Sequence, residues 1–128
     1  MKDVNEKQGY VMTEEIRELE TEIARFCTER EWDSFHTNKD LAAAIAIEAA
    51  ELQEVFLWDR TATIEKIKEE LADVFIYAFR MAERNGLDVK EIVREKLLIN
   101  AAKYPAEKCR GSAEKYTELN EEGCSDGN

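Results

Sequence analysis

The sequence predicts an all-α fold, and three observations carry that expectation. The 128 residues include one proline and five glycines, and three of those glycines fall after residue 110. The body is drawn mainly from Ala, Glu, Leu, Ile and Lys, most of which favour helix. Apolar residues recur at three- and four-residue steps, and cap and stop signals cut the chain into four stretches of helical length. Short links between such stretches suit antiparallel neighbours, so the expected architecture is a four-helix bundle with one core.

Each element has its own signals. Residues 1–12 are polar and read as a flexible N-terminus. Thr13 is placed to cap a first helix, with Glu14 and Glu15 in the first turn, where carboxylates favour the positive helix end. Ile16, Leu19, Ile23 and Phe26 form its apolar stripe as far as about residue 30. A connector over 30–39 carries Trp32, Phe35 and the only histidine, His36. Thr37 or Asn38 caps a second helix bearing Leu41, Ile45, Glu48, Leu52, Val55 and Phe56 and ending near Trp58. After a turn over 59–62, Thr61 or Thr63 caps a third helix with Ile64, Ile67, Leu71, Val74, Phe75, Ala78 and Phe79.

That third helix stops at Asn85-Gly86, residue types that accept the left-handed C-cap conformation. Asp88 and Glu91 have capping-box spacing for a fourth helix with Ile92, Val93, Leu97 and Leu98. It ends by Pro105, which pushes the preceding residue out of the α region. The predicted organisation is thus a helical domain over 13–105, an extension over 106–119 that contributes to packing or to a site, and a disordered acidic tail over 120–128.

Charge and cysteine usage exclude several functions. A formal net charge of −11 is the wrong sign for binding a nucleic-acid backbone. No apolar run approaches the roughly 18 residues of a membrane span, and no secretory leader is visible. Cys27, Cys109 and Cys124 are odd in number and lack C-x-x-C spacing, which argues against a disulfide framework or a zinc site and for a reduced, cytoplasmic setting.

The chemistry-bearing pattern is carboxylate. Glu48, Glu51 and Glu54 stand three apart in EAAELQE, directly after the apolar run LAAAIAI, and Glu70 and Asp73 repeat the step in ELAD. Residues three apart on a helix lie roughly 60° from each other, so each pair shares a face. Glu51 and Glu70 are at comparable distances from the turn between their helices, so antiparallel packing sets the pairs opposite each other. A single i, i+3 acid pair is ordinarily a solvated helix edge. Two pairs on consecutive helices, each embedded in apolar sequence, depart from that pattern. Four facing acids repel and raise one another's pKa; hard divalent cations with oxygen ligands relieve this, Mg²⁺ being the default. A di-iron centre would ask for Glu-x-x-His, and His36 is not at that spacing from these acids.

In order and spacing, REWDSFH at 30–36, EAAELQEVFLW at 48–58, ELADVFIY at 70–77, NAAKYP at 100–105 and KYTEL at 115–119 are similar to the all-α nucleoside triphosphate pyrophosphohydrolases, the MazG-like group. Within that group the sequence most resembles the dCTP pyrophosphatases. The resemblance implies that Glu48, Glu51, Glu70 and Asp73 hold Mg²⁺, with Mn²⁺ as a substitute, and that water attacks the α-phosphorus of dCTP or a modified dCTP to give dCMP and pyrophosphate. It implies a catalytic base at Glu51 with Glu54 as helper. It also implies substrate contacts from Trp32, His36, Trp58, Tyr77, Asn100, Lys103, Tyr104 and Lys115, the last reaching a neighbouring subunit of a homodimer or homotetramer. Pool sanitation is the implied role. One position departs: Ile23 stands where vertebrate-type members carry a histidine bordering the base pocket, which bears on base preference and not on the reaction. The alternatives are a broader MazG-like NTP or dUTP pyrophosphatase and a non-enzymatic acidic helical module that dimerises and binds a partner.

Overall fold

A computed structural model describes the backbone of residues 3–58 and 61–111 and the side chains of residues 15–58 and 61–111. The elements in order are α1 (Asp3–Glu29), a single 3₁₀ turn (Asp33–Phe35), α2 (Asn38–Leu57), α3 (Ile64–Arg84), α4 (Val89–Lys103) and α5 (Ala106–Cys109). No strand occurs among the described residues, so the all-α class is observed. The chain forms two compact units, Met1–Lys90 and Glu91–Asn128.

In the first unit α2 and α3 form the principal packed pair, and α1 packs on α3. Of the two candidate caps at each helix start, Thr37 and Thr63 take the role: their hydroxyl oxygens accept from the backbone N–H of Asp40 and Lys66, at 3.2 and 3.4 Å. The Thr37 hydroxyl also donates to the Asp40 carboxylate at 2.7 Å, closing a small ring at the helix entry. At the exit of α3, Gly86 adopts φ 65°. The amide of Leu87 bonds to the Ala82 carbonyl at 2.9 Å and that of Gly86 to Glu83 at 3.1 Å, the paired C-terminal bonds that a left-handed residue allows.

The same pair of bonds ends α1, where Glu31 and not glycine takes the positive φ, 57°. Here Trp32 bonds back to Cys27 at 3.1 Å and Glu31 to Thr28 at 3.0 Å. This turn delivers the chain to Trp32 and His36.

Ile23, Cys27, Leu41 and Ala82 are buried, Leu41 completely. By apolar transfer, a fully buried leucine contributes about 1.5–3 kcal/mol. The core is small because many large apolar side chains remain open to solvent: Phe26, Phe75, Ile47 and Phe56 are each about half exposed. Leu19, Phe26, Phe75 and Phe79 line an open groove of about 620 Å³ between α1 and α3.

Two boundaries differ from the sequence expectation. α1 begins at Asp3, so Thr13 lies inside it and does not cap it. Once a helix is nucleated, each added residue gains a hydrogen bond for one residue's ordering, so a polar stretch without proline can extend it. In the second unit, α4 is followed by a fifth helix of one turn, Ala106–Cys109, entered through Pro105. The amides of Lys108 and Cys109 both bond to the Pro105 carbonyl at 3.0 Å. A four-residue turn is too short to show periodicity in sequence. The acidic tail over 120–128 and most of the extension over 106–119 lie outside the described residues.

Candidate metal and nucleotide site

The acids predicted to face one another lie on α2 and α3. One carboxylate oxygen from each of Glu48, Glu51 and Glu70 lies within 4.8 Å of the others. Such spacing suits a shared hard cation, since oxygens across an octahedral Mg²⁺ stand roughly 4.2 Å apart. Glu48 Oε2 is buried and has no hydrogen-bond partner, although an unpaired buried oxygen is costly. A proton or a cation would satisfy it. Asp73 is exposed and outside this trio, yet near enough to raise the pKa of both Glu48 and Glu70.

The electrostatics agree with the geometry. Burial pushes the Glu48 carboxyl above the usual range, and a hydrogen bond with Glu51 and the charges of Glu51, Asp73 and Glu70 push it further. Glu70 is raised by loss of water and then by Glu51 and Asp73. A site that strains to keep its protons off is prepared to exchange them for a divalent ion. Glu54 is exposed on α2, one turn beyond Glu51.

An aromatic row leads away from the acids. Tyr77 follows Asp73 by one turn on α3, and its hydroxyl is raised by burial and then by the charges of Glu48 and Asp73. His36 meets Tyr77 edge to face with ring centres 6.3 Å apart, and Trp32 lies 6.2 Å beyond His36. Phe26 then meets Trp32 edge to face at 5.8 Å. The row does not include Trp58, which caps α2 at its C-terminus and is 86% exposed. Asn100 and Lys103 lie on α4 in the second unit, and the Asn100 carbonyl accepts the Tyr104 amide at 2.7 Å. Lys115 lies outside the described residues.

Sequence reasoning missed Arg80. It is 2% exposed, and its guanidinium donates to Glu83 at 2.6 Å, to the Asp33 carboxylate, and through Nε to His36 Nδ1 at 3.3 Å. The available signal was one cation within the apolar stretch VFIYAFRMA; its partner Asp33 is 47 positions away and invisible to local pattern.

The family model described as MazG-like matches residues 43–119, a span that holds all four acids. The chain is 38% identical over 120 residues to dCTP pyrophosphatase 1 of Homo sapiens and 37% identical over 120 residues to that of Mus musculus. Each match covers 83% of this chain and 66% of the relative, so the chain spans just under two thirds of the length of these relatives. Among solved structures, a pyrophosphatase from Archaeoglobus fulgidus superposes with a TM-score of 0.66 at 34% identity, covering 71% of this chain and 93% of that one.

Proposed function

The chain belongs to the MazG-like family, and from that premise we propose that it is a Mg²⁺-dependent nucleoside triphosphate pyrophosphohydrolase that cleaves dCTP, or a base-modified dCTP, to dCMP and pyrophosphate. The observation that carries this reading is the convergence of Glu48, Glu51 and Glu70 around an unpaired buried oxygen at one end of an aromatic row. The names of the relatives support a nucleotide pyrophosphatase.

Glu48, Glu51, Glu70 and Asp73 would hold the ion. Bound there, Mg²⁺ (or Mn²⁺ in its place) supplies charge neutralisation for the polyphosphate and acidifies water. The chain's own groups do the rest. The exposed carboxylate of Glu51 accepts a proton from the attacking water, with Glu54 assisting from the next turn. The water oxygen bonds to the α-phosphorus, the bond from that phosphorus to the α,β-bridging oxygen breaks, and pyrophosphate leaves with the electron pair. Trp32, His36 and Tyr77 offer a wall for the base, where aromatic faces give affinity and polar edges give choice. Trp58, Asn100, Lys103, Tyr104 and Lys115 are assigned to substrate by their motif positions.

The exposed apolar residues on α1 and α3 support a homodimer or homotetramer. Among the described residues no helix is long and apolar enough to cross a membrane, in keeping with a cytoplasmic enzyme of nucleotide-pool sanitation. The broader-specificity reading draws on Ile23, which is 8% exposed and offers the base no polar group from α1.

The test is pyrophosphate release from a panel of ribo- and deoxynucleoside triphosphates with Mg²⁺ or Mn²⁺. The expected outcome is release that stops on chelation and is fastest with dCTP. Faster turnover of dUTP or of several bases would replace the dCTP assignment with the broader one. No release from any nucleotide with either metal would overturn the enzymatic reading in favour of an acidic interaction module.

A further inference from the structure

The reaction as proposed makes no use of Arg80, yet this guanidinium is the one charged group buried with the core among the described residues. Glu83 and Asp33 hold its two terminal nitrogens, which fixes its plane, and its Nε–H points to His36 Nδ1 at 3.3 Å. A guanidinium has donors and no acceptor. The ring nitrogen facing it must therefore accept, so Nδ1 is bare and the proton of the neutral imidazole sits on Nε2. Protonation of Nδ1 would set two donors against each other. Charge acts in the same sense: burial, then the Arg80 cation, with a contribution from Arg84, hold His36 below its ordinary value of 6.5 against the pull of Asp33 and Asp40. The ring so fixed lies between Trp32 and Tyr77 in the aromatic row.

We propose that Arg80 is a positioning residue that locks His36 as a donor-only group, Nε2–H, which recognises an acceptor edge of the substrate's nucleobase. The proposal deepens, and rests on, the nucleotide reading above. Cytosine presents adjacent acceptors at O2 and N3, whereas uracil and thymine carry a hydrogen on N3. An imidazole free to change tautomer would serve either; one held by Arg80 favours the first. Sites that commit a buried polar group to one hydrogen-bond sense discriminate against the analogue of opposite sense.

His36 is the only histidine, so nitrogen-15 NMR of the full chain shows a single imidazole and needs no substrate. The expected spectrum at pH 7 is that of a neutral ring protonated at Nε2. In parallel, kcat/KM for dCTP and dUTP is measured for the wild type, His36→Gln, His36→Ala and Arg80→Lys. His36→Ala is expected to reduce the dCTP-to-dUTP ratio by about tenfold or more, mainly through KM. His36→Gln, whose amide can place an N–H near the Nε2 position, is expected to retain most of it. Arg80→Lys, which keeps the charge but loses the planar fork that aims an N–H at Nδ1, is expected to give mixed tautomers. Should Arg80→Lys fail to fold, the wild-type spectrum and the His36 variants decide. An Nδ1–H or imidazolium signal at pH 7 overturns the proposal, as does a dCTP-to-dUTP ratio that His36→Ala leaves unchanged. Absence of hydrolysis with every nucleotide would instead defeat the hydrolase reading, and the recognition role with it, while the spectrum still reports whether Arg80 sets the tautomer.

Discussion

Asn38 at the start of α2 and Asn85 at the end of α3 exchange side-chain amide hydrogen bonds, 2.9 Å in one direction and 2.7 Å in the other. This clasp joins the first residue of one helix to the C-cap of the next, so the two helices run antiparallel and their registers are pinned. Glu48 and Glu51 then meet Glu70 nearer the other end of the hairpin.

Asn38→Ala removes both bonds of the clasp while Asn85 keeps its donation to the Met81 carbonyl. Each net hydrogen bond contributes about 0.5–1.5 kcal/mol, and the pair is exposed. The expected loss is about 1 kcal/mol in a urea melt, with kcat little changed because the helix packing still aligns the acids.

Glu51→Gln and Asp73→Asn are expected to lower turnover by about a hundredfold or more, a proton acceptor or a site charge being lost. Helical circular dichroism should be unchanged, since both residues are exposed. Retained turnover in Glu51→Gln would remove this residue as the base.

Glu48 and Glu70 bind their protons more tightly in the folded chain than in the unfolded one. Their contribution to stability is therefore full below the ordinary glutamate value of 4.5 and is lost as pH rises through the higher folded values. Metal-free protein is expected to melt at a lower temperature at about pH 7 than at about pH 5. Glu48→Gln should flatten that fall and raise the melting temperature at neutral pH, while Mg²⁺ should stabilise the wild type more than the variant. Calorimetry with and without chelator checks all three.

Two substitutions probe the scaffold in opposite directions. Leu41→Ala empties a fully buried position and is expected to cost about 2–5 kcal/mol. Glu31→Gly relieves a left-handed non-glycine residue. That conformation costs roughly 1–2 kcal/mol, offset by the roughly 0.5–1 kcal/mol that glycine loses on ordering, so stabilisation of up to about 1.5 kcal/mol is expected. Denaturant midpoints of both variants test the pair.

Apart from Thr13, which lies inside α1 and not at its start, the local helix signals marked the elements where they stand. The threonine caps, the Asn85-Gly86 stop and the spacing of Glu48, Glu51, Glu70 and Asp73 all act within a turn or two of themselves. Turn geometry decided between Thr37 and Asn38, which pattern alone left open. What pattern did not reveal is non-local. Arg80 gains its meaning from Asp33 and His36 across the fold, and the Asn38–Asn85 clasp joins residues 47 apart. Nor does periodicity report that Glu31 would take the left-handed place usually given to glycine, because backbone bonds to Cys27 and Thr28 impose it.

Cys27 is 3% exposed, and burial raises its thiol above the ordinary value. A shielded, protonated sulfur is a poor target for iodoacetamide, whereas the partly open Cys109 offers reagent a route. Alkylation at Cys27 therefore keeps time with the lifting of α1 from its neighbour, and its rate is a clock for local opening written into the native chain. Slowing of that clock by added magnesium or nucleotide would register occupancy of the carboxylate cluster without any assay of turnover.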